Sequence, residues 1–128
     1  MRTVTPIGRV RGLGSAHSGA HHWWVERLTS VSTLLLFLWF IVSLLRLPSL
    51  DHGSVVNWLR QPLAAVPMLL LIVSTFWHSW LGLQVIADDY VHEASRFGIV
   101  VANGFLNIAG AALAIFAVLK IAFGPGAI

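Results

Sequence analysis

A histidine, a glycine and an acid–tyrosine pair occur at helical spacing in the segment WHSWLGLQVIADDYVHE, residues 77–93. His78 stands inside an apolar run, Gly82 follows four residues later, and Asp89 and Tyr90 lie eleven and twelve residues beyond the histidine. At about 3.6 residues per turn, His78, Gly82 and Asp89 share one face of a helix. The segment therefore presents an imidazole in apolar surroundings, with a carboxylate and a phenol about 16–18 Å further along the helix.

His78 has two chemical interpretations, because an unpaired polar nitrogen in hydrocarbon is costly. Neutral imidazole is a standard axial ligand of haem iron, and Gly82 leaves room for a flat group beside the helix. A low-spin b-type haem needs a second axial ligand, and no other histidine lies well inside an apolar run. Haem binding therefore also predicts a partner polypeptide or a symmetry copy. The alternative is a neutral histidine hydrogen-bonded to a neighbouring helix.

The acid–tyrosine pair has the chemistry of a quinone site. The hydroxyl of Tyr90 can donate to a quinone carbonyl, and the carboxylate of Asp89 can orient a basic group or relay a proton. The alternative is an interfacial tyrosine beside helix-terminal acids held by water. We interpret Asp88 and Glu93 as solvated acids. For His92 we favour the same interpretation over assistance in proton uptake.

Arg27, near the start of an earlier apolar run, is a further candidate for cofactor contact. Its guanidinium can bind a haem propionate through two hydrogen bonds. It can equally extend to the membrane surface or pair with Glu26. His21 and His22 precede it and receive no assignment.

The elements that position these residues are predicted to be transmembrane helices. The chain has 128 residues, of which 57% are hydrophobic and 10% charged, and this usage lies outside that of soluble domains. Three runs without Asp, Glu, Lys or Arg approach or exceed the roughly 20 residues that cross a bilayer. The sequence predicts an all-α membrane protein with spans at about residues 28–46, 62–88 and 97–121.

The distribution of charge predicts the orientation of the chain. Residues 1–22 are expected to form a basic tail ahead of a helical domain at residues 23–128. Basic residues on the side of the N-terminus are Arg2, Arg9, Arg11, Arg27 and Arg96, and those on the other side are Arg46, Arg60 and Lys120. This bias predicts a cytoplasmic or matrix N-terminus and contact with anionic lipid, not with nucleic acid. The tail does not resemble a transit peptide, which favours a bacterial inner membrane.

Two other observations limit the chemistry of the chain. It contains no cysteine, which excludes disulfides and iron–sulfur clusters bound by its own thiolates. Asn103, Asn107, Gly110 and Ala114 form a small, polar seam at helical spacing, and we predict that this seam packs against another helix.

Two motifs resemble those of a known family. HSWLGLQVIADDYVH is similar to the second-helix signature of the small hydrophobic membrane anchor of succinate dehydrogenase (complex II, succinate:quinone oxidoreductase). GSAHSGAHHWWVERLTS resembles the N-terminal motif of that family, in which a Gly/Ser-rich stretch and a histidine precede Arg-x-Thr. The resemblance implies a heterotetramer with a flavoprotein subunit, an iron–sulfur subunit and a second membrane anchor. This complex joins the tricarboxylic acid cycle to respiratory electron transport.

The resemblance also implies a role for each matching residue. His78 becomes the axial ligand of a b haem shared with the second anchor in a heterodimeric helical bundle, and that anchor supplies the second histidine. Arg27 lies near a haem propionate, Tyr90 hydrogen-bonds the carbonyl of ubiquinone, and Asp89 orients an arginine of the second anchor. The chain is then not catalytic alone, because it positions cofactors that carry the redox chemistry.

Two alternatives remain open. One is a haemless anchor of the related fumarate reductases, which run the reaction in the opposite direction. The other is a small membrane scaffold or transporter in which His78 and Asp89 relay protons or only pack.

Overall fold

The computed structural model describes residues 5–7, 18–90 and 94–125, and its principal elements are four helices. They are α1 (Ser18–Leu45), α2 (His52–Leu59), α3 (Pro62–Tyr90) and α4 (Ala94–Phe123). The described part contains three segments that are long and apolar enough to cross a membrane, at Gly19–Leu45, Pro62–Tyr90 and Ser95–Phe123. The predicted all-α fold with three spans is confirmed.

The first and second long helices extend beyond the charge-free runs. α1 begins at Ser18, so the expected boundary between tail and helical domain at residue 22 falls within this helix. α3 continues through Tyr90. Arg27 and Asp89 therefore both lie on helices, with their positions fixed by helical geometry. Arg2, Arg9 and Arg11 of the expected basic tail lie outside the described residues.

The three long helices form an open layer with α3 in the middle. α3 packs against α1 on one side and α4 on the other, whereas in the described chain no Cα atom of α1 lies within 8 Å of one in α4. In the most apolar stretch of α1 no residue is buried, and few are buried in those of α3 and α4. Most of the apolar surface therefore faces outward, where lipid or another protein can cover it.

Hydroxyl groups join α1 to α3. The side-chain oxygens of Thr33 and Ser74 lie 2.7 Å apart, and the Ser74 hydroxyl also donates to the main-chain carbonyl of Thr29 over 3.3 Å. Ser74 is 8% exposed, and a buried hydroxyl without a hydrogen-bond partner is costly in apolar surroundings. These bonds supply the partners that hydrocarbon lacks. They fix the register of the two helices near the middle of the layer.

The small and polar seam of α4 packs against α3, as predicted, at Asn103 and Gly110. The buried Asn103 side chain donates to the main-chain carbonyl of Trp80 over 3.2 Å. A Cβ atom built on Gly110 would lie 2.6 Å from Cε1 of Phe76, so a larger residue would force the ring or the helix to shift. Asn107 instead donates within its own helix, to the main-chain oxygen of Asn103 over 2.9 Å and to its Oδ1 over 2.7 Å.

The short helix α2 folds back onto the end of the layer. Asp51 caps its first turn by accepting from the Ser54 amide over 3.3 Å. Hydrogen bonds from the side chains of Ser49 and Ser54 lower the pKa of Asp51 and keep this cap anionic. At the other end of α2, the ring of Trp58 stacks on Trp39 of α1, with centroids 5.8 Å apart. α2 therefore contacts α1 through this ring pair, and it also packs against α3 and α4.

Candidate functional site

His78 meets Thr29 where α3 packs against α1. The Nδ1 atom of His78 lies 3.3 Å from the Oγ1 atom of Thr29. The Thr29 hydroxyl also donates to the main-chain carbonyl of Glu26 over 2.9 Å. His78 is half-buried, and its Nε2 atom has no hydrogen-bond partner in the described part of the chain. The contact with a neighbouring helix therefore satisfies one ring nitrogen and leaves the other available.

Gly82 leaves open space one turn beyond His78. A Cβ atom built on Gly82 would meet no heavy atom within 4 Å outside its own helical backbone, in contrast to Gly110, where a ring of the facing helix fills the space. Neither α1 nor α4 covers the backbone at Gly82, which is half-buried. A flat apolar group or another helix can therefore approach α3 beside the imidazole.

Arg27 lies close to the level of Thr29 and His78 in the layer. It precedes Thr29 by two residues, about 3 Å along the axis of α1. Its guanidinium carbon lies 5.2 Å from the centroid of the Trp23 ring, which is a cation–π contact. The described residues contain no ion pair between Arg27 and Glu26, so this charge remains free to bind an anion.

The two acids in the last turn of α3 differ in their contacts. Asp88 accepts from Nη2 of Arg96 over 2.6 Å and from Nε over 3.0 Å, which joins the end of α3 to the first turns of α4. The Asp89 carboxylate has no hydrogen-bond partner among the described residues, and its side chain is exposed. Tyr90 is 80% exposed. Asp89 and Tyr90 are therefore available to an external group, whereas Asp88 is occupied.

The candidate residues do not form a single contact cluster. Because α1 and α3 run antiparallel, Arg27 lies about 3 Å from the level of Thr29 and His78, toward the end of α3. Asp89 and Tyr90 lie further along, about three turns beyond His78. His21 is exposed and His22 half-buried in the first turns of α1. His92 and Glu93 lie outside the described residues. Within the described ranges, no group of three or more His, Asp and Glu residues is arranged to hold a metal ion.

Thr29 is a site residue to which the sequence pattern assigned no function. It is the threonine of the Arg-x-Thr motif, and this position in the motif is the feature of the sequence that could have identified it. Its contact with a histidine 49 positions later depends on how α1 and α3 pack, and spacing along one helix does not reveal that.

Comparison with known proteins gives a consistent family. Residues 1–119 match the model of the succinate dehydrogenase/fumarate reductase transmembrane subunits. The succinate dehydrogenase hydrophobic membrane anchor subunit of Rickettsia bellii is 32% identical over 85 residues, which cover 66% of this chain and 68% of the relative. The protein of the same name from Paracoccus denitrificans is 26% identical over 124 residues, covering 97% of this chain and 96% of the relative. That of Rickettsia typhi is 30% identical over 114 residues, covering 86% and 91%.

Proposed function

The chain belongs to the succinate dehydrogenase/fumarate reductase transmembrane subunit family, and from this premise we propose that it is the hydrophobic membrane anchor of a bacterial succinate:quinone oxidoreductase. Its partners are a flavoprotein subunit, an iron–sulfur subunit and a second membrane anchor. Its N-terminus lies in the cytoplasm, as the distribution of basic residues predicts. Three apolar helices with little buried surface support a role in the membrane that is completed by other subunits.

The residues around His78 fit a b-type haem. The hydrogen bond to Thr29 engages Nδ1 and leaves Nε2 as the nitrogen that can ligate iron. The open space at Gly82 suits a flat macrocycle beside the ring. Arg27 would bind a propionate in place of its contact with Trp23. When bound, a haem would supply one-electron redox chemistry, and this chain would hold it through His78, Arg27 and the apolar surface beside Gly82.

The open layer explains why a second membrane anchor is part of the proposal. His78 is the single histidine within the central parts of the described spans, so a second histidine to hold the haem would come from another polypeptide. In the described chain no Cα atom of α1 lies within 8 Å of one in α4, so a partner can approach α3 between them. A partner bundle covering one face would bury the apolar surface and enclose the cofactor.

The end of α3 supplies the groups for quinone reduction. The Tyr90 hydroxyl is exposed and would donate to a quinone carbonyl. The carboxylate of Asp89 would hold a basic group of the partner anchor beside the quinone and assist delivery of protons from the cytoplasmic side. The pairing of Asp88 with Arg96 supports Asp89 as the acid that performs this role.

The observation that carries the haem assignment is the unpartnered Nε2 of His78, within the described chain, beside the open space at Gly82. One observation also favours a different candidate: the Thr29 hydrogen bond is what a purely structural histidine would make in a membrane scaffold. The two candidates differ in their use of Nε2, so they predict different spectra.

The test is a dithionite-reduced minus oxidised absorption spectrum of the purified complex. We expect a b-type signal, together with co-purifying flavoprotein and iron–sulfur subunits. His78→Ala should remove or shift this signal, whereas the control His52→Ala, at the start of α2, should retain it. A signal that is unchanged in His78→Ala would reject ligation by this residue. A complex that contains the partner subunits but no haem would identify a haemless anchor. A chain that purifies without partner subunits and without haem would identify a scaffold or transporter.

A further inference from the structure

The contact between the Thr29 hydroxyl and Nδ1 of His78 bears on which ring nitrogen carries the proton. We propose that the Thr29 hydroxyl oxygen accepts a hydrogen bond from Nδ1–H, which leaves Nε2 unprotonated as the iron ligand, and that this bond lowers the reduction potential of the bound haem. Thr29 is thus a positioning residue, because it acts through His78. This inference rests on the proposed function, since it assumes that His78 ligates a haem.

The assignment follows from counting protons. A threonine hydroxyl has one proton, and the main-chain carbonyl of Glu26, 2.9 Å from Oγ1, can only accept. Once the hydroxyl proton is used there, the 3.3 Å contact between Oγ1 and Nδ1 is a hydrogen bond only if His78 donates it. Neutral imidazole carries a single N–H, so Nε2 then has a free lone pair. This is the tautomer that binds a metal through Nε2.

The hydroxyl is held in place by the packing of the two helices. The Ser74 hydroxyl donates its one proton to the main-chain carbonyl of Thr29 over 3.3 Å. In its bond with Thr33, Ser74 is therefore the acceptor and the Thr33 hydroxyl is the donor. Ser74 and His78 are one turn apart on α3, as are Thr33 and Thr29 on α1. Hydrogen bonds of hydroxyl groups therefore join two adjacent turns of α1 to two adjacent turns of α3. One of these bonds is the contact between Thr29 and the imidazole of His78.

The bond has a consequence for redox chemistry. A group that accepts from the distal N–H of a ligating imidazole raises the basicity of the ligand. A more basic ligand stabilises the oxidised iron and lowers the reduction potential. Removing the acceptor should therefore raise the potential. Removing a hydroxyl bond elsewhere between the same helices should have no such effect.

The experiment compares Thr29→Val, Thr29→Ser and Thr33→Val in the intact complex. Thr29→Val keeps the shape of the side chain and removes the acceptor, Thr29→Ser keeps the hydroxyl, and Thr33→Val removes the neighbouring bond to Ser74. The readouts are the haem midpoint potential from a redox titration and the g values of the oxidised haem in electron paramagnetic resonance. We expect a positive shift of the potential and altered g values for Thr29→Val, and wild-type values for the other two variants.

Each other outcome has a defined meaning. Equal potentials and g values in Thr29→Val and Thr33→Val would overturn the inference. Loss of haem in Thr29→Val alone, with haem retained in Thr29→Ser and Thr33→Val, would support it, because the ligating tautomer then requires the hydroxyl. Loss of haem in both valine variants would assign Thr29 to packing and overturn it. Retention of the haem signal in His78→Ala would reject the proposed function itself, independently of these results.

Discussion

Asp88 is bound to Arg96 across the connection between α3 and α4, with both guanidinium contacts ending on the same carboxylate oxygen at 2.6 Å and 3.0 Å. The two side chains are 40% and 55% exposed, so the pair contributes only about 0–1 kcal/mol to stability. Its larger effect is chemical. Among the described residues, the neighbouring Asp89 remains the unpaired acid of the last turn of α3, which gives two adjacent and chemically identical side chains different expected roles.

Asp89→Asn should impair quinone reduction, whereas Asp88→Asn should not. Asparagine keeps the size of the side chain and removes the charge that would hold a basic group beside the quinone. The measurement is succinate:quinone reductase activity, normalised to succinate oxidation with an artificial acceptor that bypasses the membrane. We expect the ratio to fall at least about tenfold for Asp89→Asn, with the roughly 10²–10⁴-fold contribution of a general acid or base as the upper range. Equal ratios in the two variants would contradict the assignment of Asp89.

Tyr90→Phe should lower quinone reductase activity and leave the bypass activity unchanged. The substitution removes only the hydroxyl of a residue that is 80% exposed, so it should not disturb packing of the chain. Loss of one hydrogen bond to a quinone carbonyl costs about 0.5–1.5 kcal/mol, which corresponds to a few-fold to roughly tenfold rise in KM for the quinone. Phe97→Leu, an exposed aromatic residue at the start of α4, is the control. A proportional loss of both activities would argue against a role specific to the quinone.

Gly110→Ala should weaken the packing of α3 against α4. The added methyl would lie 2.6 Å from Cε1 of Phe76, so the ring or the helix has to shift, and overpacking of this kind costs about 1–3 kcal/mol. Gly104→Ala is the matched control in the same helix, because its Cβ would meet nothing within 4 Å. Thermal unfolding of the detergent-purified protein should show a lower midpoint for Gly110→Ala than for Gly104→Ala. Equal midpoints would mean that the ring is free to move away.

Asn103→Leu should destabilise the same interface by removing its polar contact. The Asn103 side chain is buried and donates between helices to Trp80, and hydrogen bonds of this type in membranes contribute about 0.6–2 kcal/mol. Asn107→Leu removes donors whose bonds in the described chain lie within α4, so its effect on unfolding by denaturant should be smaller. The reverse order would contradict the role of Asn103 in joining α3 to α4.

Several features of this protein were predictable from its sequence. Charge-free runs predicted three spans, since burial of charge in hydrocarbon is costly and a bilayer sets the length of a helix. The motifs around His78 and Arg27 predicted the family, and the match over residues 1–119 confirms it. The ends of the helices were less predictable, because a helix can continue past the membrane through residues such as Glu26 and Asp89.

The sequence by itself determined the class of the protein, the number of its spans and the residues with unusual chemistry, because composition and the helical period are local properties. Only the tertiary structure decided that Thr29 meets His78, that Asp88 pairs with Arg96, and that in the described chain α1 and α4 both pack on α3. The helical period specifies which residues share a face of one helix. The register and choice of neighbours between helices depend on side chains far apart in the chain that pack and hydrogen-bond together, as the hydroxyl of Thr33 does with that of Ser74.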